Sequence, residues 1–410
     1  MKKIIKILLI IDIMGTAVYI FNNQSKDIYL DKQLNEDKKE VLSMMLETEA
    51  GSGKYQETTR SSWPEDGYVF NETLSKCENG SSLSWDNAKK NVVMIGTNAD
   101  KCYVYFDIKP PEFLADHIKS LYITQGENNL YLHDSTLENG ANDGSYRYAG
   151  SSETTNNFVC FGYNSSDGTC PTDYLYRIIG VFDNQVKLIK YDYAKSSFLG
   201  TDGNYKNNVN YYENSKTYLG NNNLSEIGCY GYDSSSYIWS YSKLNTVNLN
   251  NNYLKYIGEQ WNNKITVSDW ENGGNTSSKI KSVPVSDAFY NEIISPKSSI
   301  VFNGKIALRY ISEYGYAASP SAWTTKLSSY GSSSIASVNW MYMGLDEYSI
   351  SAHREGEKSN VLSVGAINTL GSVTHYTVNG CCAVRPAFYL NSDVSYISGK
   401  GTKTEPYLIN

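Results

Sequence analysis

The sequence predicts an α+β protein in three parts: an N-terminal transmembrane or signal helix, a small all-β module, and a larger irregular α+β domain. Residues 174–190 carry the clearest signal. They read as two strands, Tyr174–Phe182 and Val186–Lys190, joined by a tight Asp183-Asn184-Gln185 turn. β-Branched and aromatic residues suit a pleated surface, and Asp and Asn tolerate the dihedrals that close a hairpin. Both faces of the first strand are apolar, so the hairpin belongs at the centre of a domain. Short helix candidates interrupt a strand-led pattern on either side of it. The third observation is composition: charged residues are only 19%, while Tyr reaches 36 among abundant Asn, Ser and Gly.

At 410 residues the chain has room for two or three domains. A net charge of −7 argues against a nucleic-acid partner, because no basic stripe is available to neutralise phosphates. Neutral polar groups keep such a chain soluble and suit extracellular β-rich folds. Tyrosine also serves binding surfaces, giving wide amphipathic contact at low entropy cost. Most of the 36 nevertheless fill sheet positions. No repeat of solenoid or propeller length is present.

Residues 1–23 open with Lys2 and Lys3 ahead of Ile4–Phe21, which is apolar except for Lys6, Asp12 and Thr16. Such a run of about 18 residues just spans a bilayer. Ala17 offers a cleavage point for a signal peptide, but Val18–Phe21 continues the apolar run and fits an anchor better. Asp12 would be costly at the membrane centre. The positive-inside rule then places the bulk of a single-pass protein outside the cell membrane, or secretes it if the segment is cleaved. Residues 24–60 read as a stalk or linker, helical over 24–51 with Leu30, Leu34, Val41, Leu42, Met45 and Leu46 as a broken apolar stripe. Ala50–Tyr55 lacks the spacing of a phosphate loop.

Residues 61–110 form the small all-β module, with strands at Tyr68–Phe70, Ser82–Trp85, Asn91–Ile95 and Cys102–Phe106. A Cys77–Cys102 bridge would stabilise so small a core by about 3 kcal/mol. Pro110-Pro111 marks a boundary. In residues 111–410, Phe113–Ser120 reads as a helix, and Cys160 and Cys170 bracket a turn-rich segment and are expected to pair. Helices follow at Ser242–Leu249, Tyr253–Gly258 and Phe289–Ile293. Lys305–Tyr310 reads as a strand leading into an aromatic turn at Ser312–Tyr316. The last strand, Ala383–Leu390, contains Arg385-Pro386, which implies an edge or a bulge.

The chemistry is sparse. None of the four His stands at metal-ligand spacing, and no nucleophile elbow or dinucleotide loop occurs, so no metal or cofactor is expected. Seven Cys in an exported chain allow three bridges and one leftover thiol. Cys381-Cys382 is the one candidate for redox work, though one of the two more simply bridges Cys229. Arg177 and Arg385, inside apolar strands, need partners, with Glu313 and Asp183 as candidates. The best binding region is Ser319–Asn379. Its aromatics are flanked by hydroxyls and amides, and Trp323, Tyr348, His353 and Tyr376 are the expected ligand-binding residues. Trp340 is assigned to the core.

Phe158–Gly162, Tyr176–Val181, Lys305–Tyr316, Ala383–Leu390 and Gly399–Pro406 occur in an order that resembles a domain of gut Firmicutes surface proteins, the DUF6273 family. The resemblance covers Glu112–Asn410, and Gly67–Asp107 looks like the small module that often precedes that domain. It implies a C-type-lectin-like or formylglycine-generating-enzyme-like scaffold presenting variable loops. The family supplies no activity to carry over, and the pilin-like leader of some members is missing here. The expected function is therefore non-catalytic binding of a surface glycan, peptide or host or partner protein through aromatic-rich loops. The rivals are a ligand-free cell-envelope component and a cysteine-dependent oxidoreductase of the formylglycine-generating type.

Overall fold

A computed structural model describes residues 28–29, 42–58, 62–64, 67–96, 100–165, 168–207, 211–297, 300–353 and 362–410. The expected anchor, residues 1–23, lies outside the described residues. No helix among the described residues is long and apolar enough to cross a membrane. The chain forms two compact units, Met1–Pro111 and Glu112–Asn410.

In the N-terminal unit, Leu42–Glu47 is a strand, which corrects the expected stalk helix over 24–51. Leu42, Met44 and Leu46 alternate toward the core, so Leu42 and Leu46 of the expected stripe keep a common face at a period of two while Met45 falls on the other. The strand runs parallel to Cys102–Ile108, with Leu42 opposite Cys102 and Leu46 opposite Phe106. Tyr55–Thr58, Tyr68–Phe70 and Lys76–Cys77 complete that sheet. A second, smaller sheet joins Ile28–Tyr29, Asn91–Ile95 and Ser82–Asp86. Along Cys102–Ile108 the buried residues Cys102, Val104 and Phe106 alternate with half-buried tyrosines. Glu47 is 3% exposed, and its carboxylate accepts the Gly53 and Ile108 amides at 3.1 and 2.9 Å.

Cys77 and Cys102 are directly opposed across the sheet and form a disulfide closing 25 residues. Replacing both by Ser is expected to destabilise this unit by about 3 kcal/mol. The urea midpoint of its unfolding transition measures this; an unchanged midpoint would show that the bridge contributes nothing.

The C-terminal unit is built on one antiparallel sheet. Its order is Leu130–Leu132, Tyr146–Tyr148, Leu175–Phe182, Gln185–Lys190, Ala387–Tyr389 and Ile306–Ala307, with Phe158–Cys160 also pairing on Leu175–Phe182. Leu175 through Val181 are all buried, so the predicted hairpin is the covered centre of the unit. Asp183 takes the positive φ, 53°, that its turn requires. At Gly180 the register slips, and a β-carbon there would lie 2.3 Å from the Tyr146 carbonyl oxygen. Only glycine fits this bulge.

Helices and three small sheets surround this centre, giving the α+β class. Leu244–Tyr253, wound in wide i→i+5 turns, continues as Leu254–Ile257, and Val285–Phe289 continues as Tyr290–Ile294. The small sheets join Ser268–Asn272 with Ile300–Gly304, and Glu347–His353 with Ser363–Ile367 and Val373–Thr377. The third brings together Glu112–Phe113, Ser395–Ser398 and Leu408–Ile409, the two ends of the unit.

Two expectations are corrected near the C-terminus. Ile311–Tyr316 is a buried helix rather than an aromatic turn, because the Glu313 carboxylate reaches back to the Tyr310 amide at 2.9 Å and caps it. The last strand shrinks to Ala387–Tyr389, since Pro386 has no amide to extend the ladder.

The buried charges also pair differently from expectation. Arg385 and Arg309 share Glu347, with Arg309 Nη1 at 2.6 Å and Arg385 Nη2 at 2.9 Å. Glu313 instead holds Lys187, at 2.5 Å. Among the described residues no carboxylate pairs with Arg177; its N–H groups donate to Asn157 Oδ1, Ser152 Oγ and the Thr155 carbonyl at 2.6–2.8 Å. Its guanidinium lies between the rings of Phe158 and Trp340, at 4.2 and 4.8 Å.

Candidate functional site

Two of the expected binding residues of Ser319–Asn379, Trp323 and Tyr348, lie in the core rather than at the surface. Trp323 is fully buried, with its indole N–H donating to the Ala318 carbonyl at 2.9 Å and its ring packed edge-on against Tyr131 and Tyr316. Tyr348 is equally buried and donates to the Thr377 carbonyl at 2.7 Å. Tyr376 is half-buried and its hydroxyl donates to Asp346 Oδ1 at 2.7 Å. Burial, then that bond, raises its pKa. His353 ends the strand Glu347–His353; its side chain, like Arg354, lies outside the described residues. The small residues Ala317, Ala318 and Ala322, all buried around Trp323, were the available sign of a packing site rather than a loop tip.

A different set of aromatics meets at the surface. Cys160 and Cys170 are bridged, closing the segment that carries Tyr163. Its start is fixed on the central hairpin, with Cys160 opposite Leu175 and the Phe161 amide donating to the Tyr174 carbonyl at 2.9 Å. Gly162 turns the chain with φ 93°, and a β-carbon there would stand 2.9 Å from the Tyr174 ring. Tyr163, 39% exposed, then stacks on Tyr174 at 5.5 Å between centroids. Tyr174 lies parallel to Tyr256, at 6.2 Å and 9°. Tyr256 stacks on Phe198 at 3.8 Å. The result is a row of four rings running from an exposed end at Tyr163 to a buried end at Phe198.

Each ring sits on a separate support. Tyr174 closes the 3-10 turn Thr172–Tyr174, Tyr256 lies on the helix Leu254–Ile257, and Phe198 lies on Ser196–Leu199. Beneath them Tyr176 and Tyr253 are hydroxyl-bonded in the core. Burial, reinforced by a hydrogen bond to Tyr174, raises the Tyr256 pKa, so its hydroxyl is neutral at physiological pH. Asn164 and Gln260, both exposed, approach at 3.5 Å beside the Tyr163 end. At the Phe198 end, Lys195 Nζ stands 3.0 Å from Asp173 and 2.9 Å from Glu226. Lys190 is buried below and donates to the Asp173 carbonyl at 2.6 Å. Burial pushes its pKa down to about 8.

Other openings suit a ligand less well. A cleft of about 70 Å³ beside Asp143, Arg147, Ser312 and Glu313 has room for a few waters. In the N-terminal unit a groove of about 820 Å³ is lined by Tyr68, Phe70 and Trp85, but the Trp85 indole already donates to Asn87. It borders residues 65–66, which lie outside the described residues. No cluster of metal-ligating side chains occurs among the described residues. Cys229 and Cys381 form the third disulfide. Cys382 is buried, and burial together with the Asp346 charge raises its thiol pKa well above the usual value. A thiol held protonated in this way is a poor nucleophile.

No family model, curated protein or solved structure matches the chain. The tyrosine row is accordingly read from its own chemistry. Partly exposed tyrosine rings flanked by amides can cover apolar C–H surface while offering hydroxyl and amide hydrogen bonds. Sequence reasoning missed the row because Tyr256 and Phe198 lie far along the chain from Tyr163 and Tyr174. The available signal was the placement of Tyr163 inside a short disulfide loop immediately before the hairpin.

Proposed function

We propose that the protein is an extracellular, membrane-anchored, non-catalytic binding protein. In this reading the C-terminal unit is a lectin-like scaffold that holds a glycan chain against Tyr163, Tyr174 and Tyr256. The row of rings carries the proposal. Pyranose rings present apolar C–H faces edged by hydroxyls, which matches aromatic surfaces bordered by neutral donors and acceptors. The rings are held on rigid elements by a disulfide, a turn and two helices, which lowers the entropy cost of binding. Three disulfides favour an oxidising compartment outside the cytoplasm, and the Lys-flanked apolar run of residues 1–23 supplies the anchor. The joining of the unit's two ends in one small sheet supports a closed, loop-presenting scaffold.

Titration calorimetry of the full chain against cellohexaose, chitohexaose and mannohexaose tests this. At least one oligosaccharide is expected to bind. Tyr174→Ala should weaken that binding by at least ~2 kcal/mol, about 30-fold, if the central ring is an anchoring residue. Retained affinity in both Tyr174→Ala and Tyr256→Ala, with circular dichroism unchanged, would place the site elsewhere. Failure of all three sugars to bind would remove the glycan reading.

A further inference from the structure

The two ends of the tyrosine row differ in their neighbours. Asn164 and Gln260 bring amides to the Tyr163 end. At the Phe198 end, Lys195 lies 5.8 Å from the Phe198 ring and is shared between two carboxylates. Side-chain exposure there rises from 20% for Lys195 through 29% for Asp173 to 48% for Glu226. Glu226 is therefore the carboxylate that faces solvent, while Lys195 sits further in and Asp173 keeps one oxygen on Lys195 and the other buried. Lys190, fully buried behind Asp173, presents no cation to the surface. Asp192 behind it is occupied by the Tyr218 hydroxyl and the Asn221 and Asn222 amides. Lys255 precedes Tyr256 on its helix and is exposed, but one helical residue turns its side chain about 100° away. Among the described residues, a carboxylate brought to this end of the rings would thus meet the Glu226 carboxylate, with Lys195 already engaged by Asp173 and Glu226.

We infer that the row selects uncharged glycan chains and rejects uronate-bearing ones, with Glu226 as the residue that rejects them. This rests on the row being the glycan site. The device is like-charge exclusion, by which a site gains specificity through what it repels. Glu226 stands at the end of the 3-10 turn Leu224–Glu226, whose first amides are tied back to Asn223, so its position is fixed by the backbone. Removing its charge leaves Lys195 paired with Asp173, and the rings stay where they are. Salt should weaken the exclusion, since the screening length falls from about 30 Å at 0.01 M to about 3 Å at 1 M.

The experiment compares the oligosaccharide that binds best with the same oligosaccharide oxidised at C6 to the uronate, using the full chain at low salt. The neutral form is expected to bind at least ~10-fold more tightly, as like-charge contacts demand. In Glu226→Gln the gap should shrink to less than about threefold with affinity for the neutral sugar unchanged, and in the native protein it should narrow at 1 M salt. Equal binding of the two sugars by the native protein, or an unchanged gap in Glu226→Gln, overturns the inference and leaves the glycan reading standing. If neither form of any oligosaccharide binds, the glycan reading fails and the selectivity fails with it.

Discussion

Raising the pH beyond 10 is expected to unfold the C-terminal unit within about one pH unit. Tyr148, Tyr176, Tyr193, Tyr232, Tyr253 and Tyr314 are each at most 2% exposed. Burial raises all six pKa values above the ordinary 10. Below pH 10 these phenols are protonated in both the folded and unfolded chains and exert no pH dependence. Above it the unfolded chain ionises first, so the folded state binds more protons and stability falls as pH rises. Each group costs about 1.4 kcal/mol per pH unit, so six cost roughly 8 kcal/mol per unit. That is comparable with the whole stability of a typical domain.

Lys190 acts in the opposite direction over an earlier window. Its folded pKa of about 8 lies below the unfolded 10.5, so it adds stability as pH rises between those values. The stability curve should therefore rise slightly before it collapses. Phenolate absorbance and far-ultraviolet dichroism, followed together, check this. The loss of dichroism should coincide with a step in phenolate absorbance contributed by the buried rings. Gradual ionisation of most tyrosines with the dichroism intact would mean that the rings are far more accessible than their burial implies.

The second large effect concerns Glu347. It is 3% exposed and accepts from Arg309 Nη1 at 2.6 Å and from Arg385 Nε at 3.0 and 3.1 Å. Burial by itself disfavours the Arg309 charge, and Glu347 is what sustains it. Glu347→Leu would leave two buried guanidinium groups without an anion, costing about 3–5 kcal/mol. For a unit of this size the melting temperature should drop by about 5–8 °C. Replacing all three, by Arg309→Met, Glu347→Leu and Arg385→Met, should be milder than the single change, because no unpaired charge remains. Calorimetry of the two variants decides it. A triple variant less stable than Glu347→Leu would show that the ion network stabilises the fold beyond neutralising itself.

What the sequence made legible follows physical range. The central hairpin could be read because its strands are adjacent and its turn residues are local. Cys77–Cys102 and Cys160–Cys170 could be read because each pair brackets a short turn-rich segment. Leu42–Glu47 was misassigned because its sheet partner, Cys102–Ile108, is distant in the chain and runs parallel to it. The partner of Arg385 was missed for the same reason, since Glu347 arrives on a strand of another sheet. Trp323 and Tyr348 were placed on the surface because polar neighbours in sequence suggest exposure, whereas their neighbours in space are aromatic. The tyrosine row required three separate segments to converge, which no local pattern encodes.

The small sheet of Glu112–Phe113, Ser395–Ser398 and Leu408–Ile409 is the clasp of the C-terminal unit. Tyr396 lies at its middle, paired with Glu112 on one side and Ile409 on the other, and His117 stacks on its ring at 3.6 Å. The backbone of the unit is thereby closed into something close to a ring. A ring has no privileged place to be opened. A cut in an exposed loop would leave both pieces fastened by the clasp, so fresh ends could be made there and the old ones joined without rearranging the hairpin at the centre.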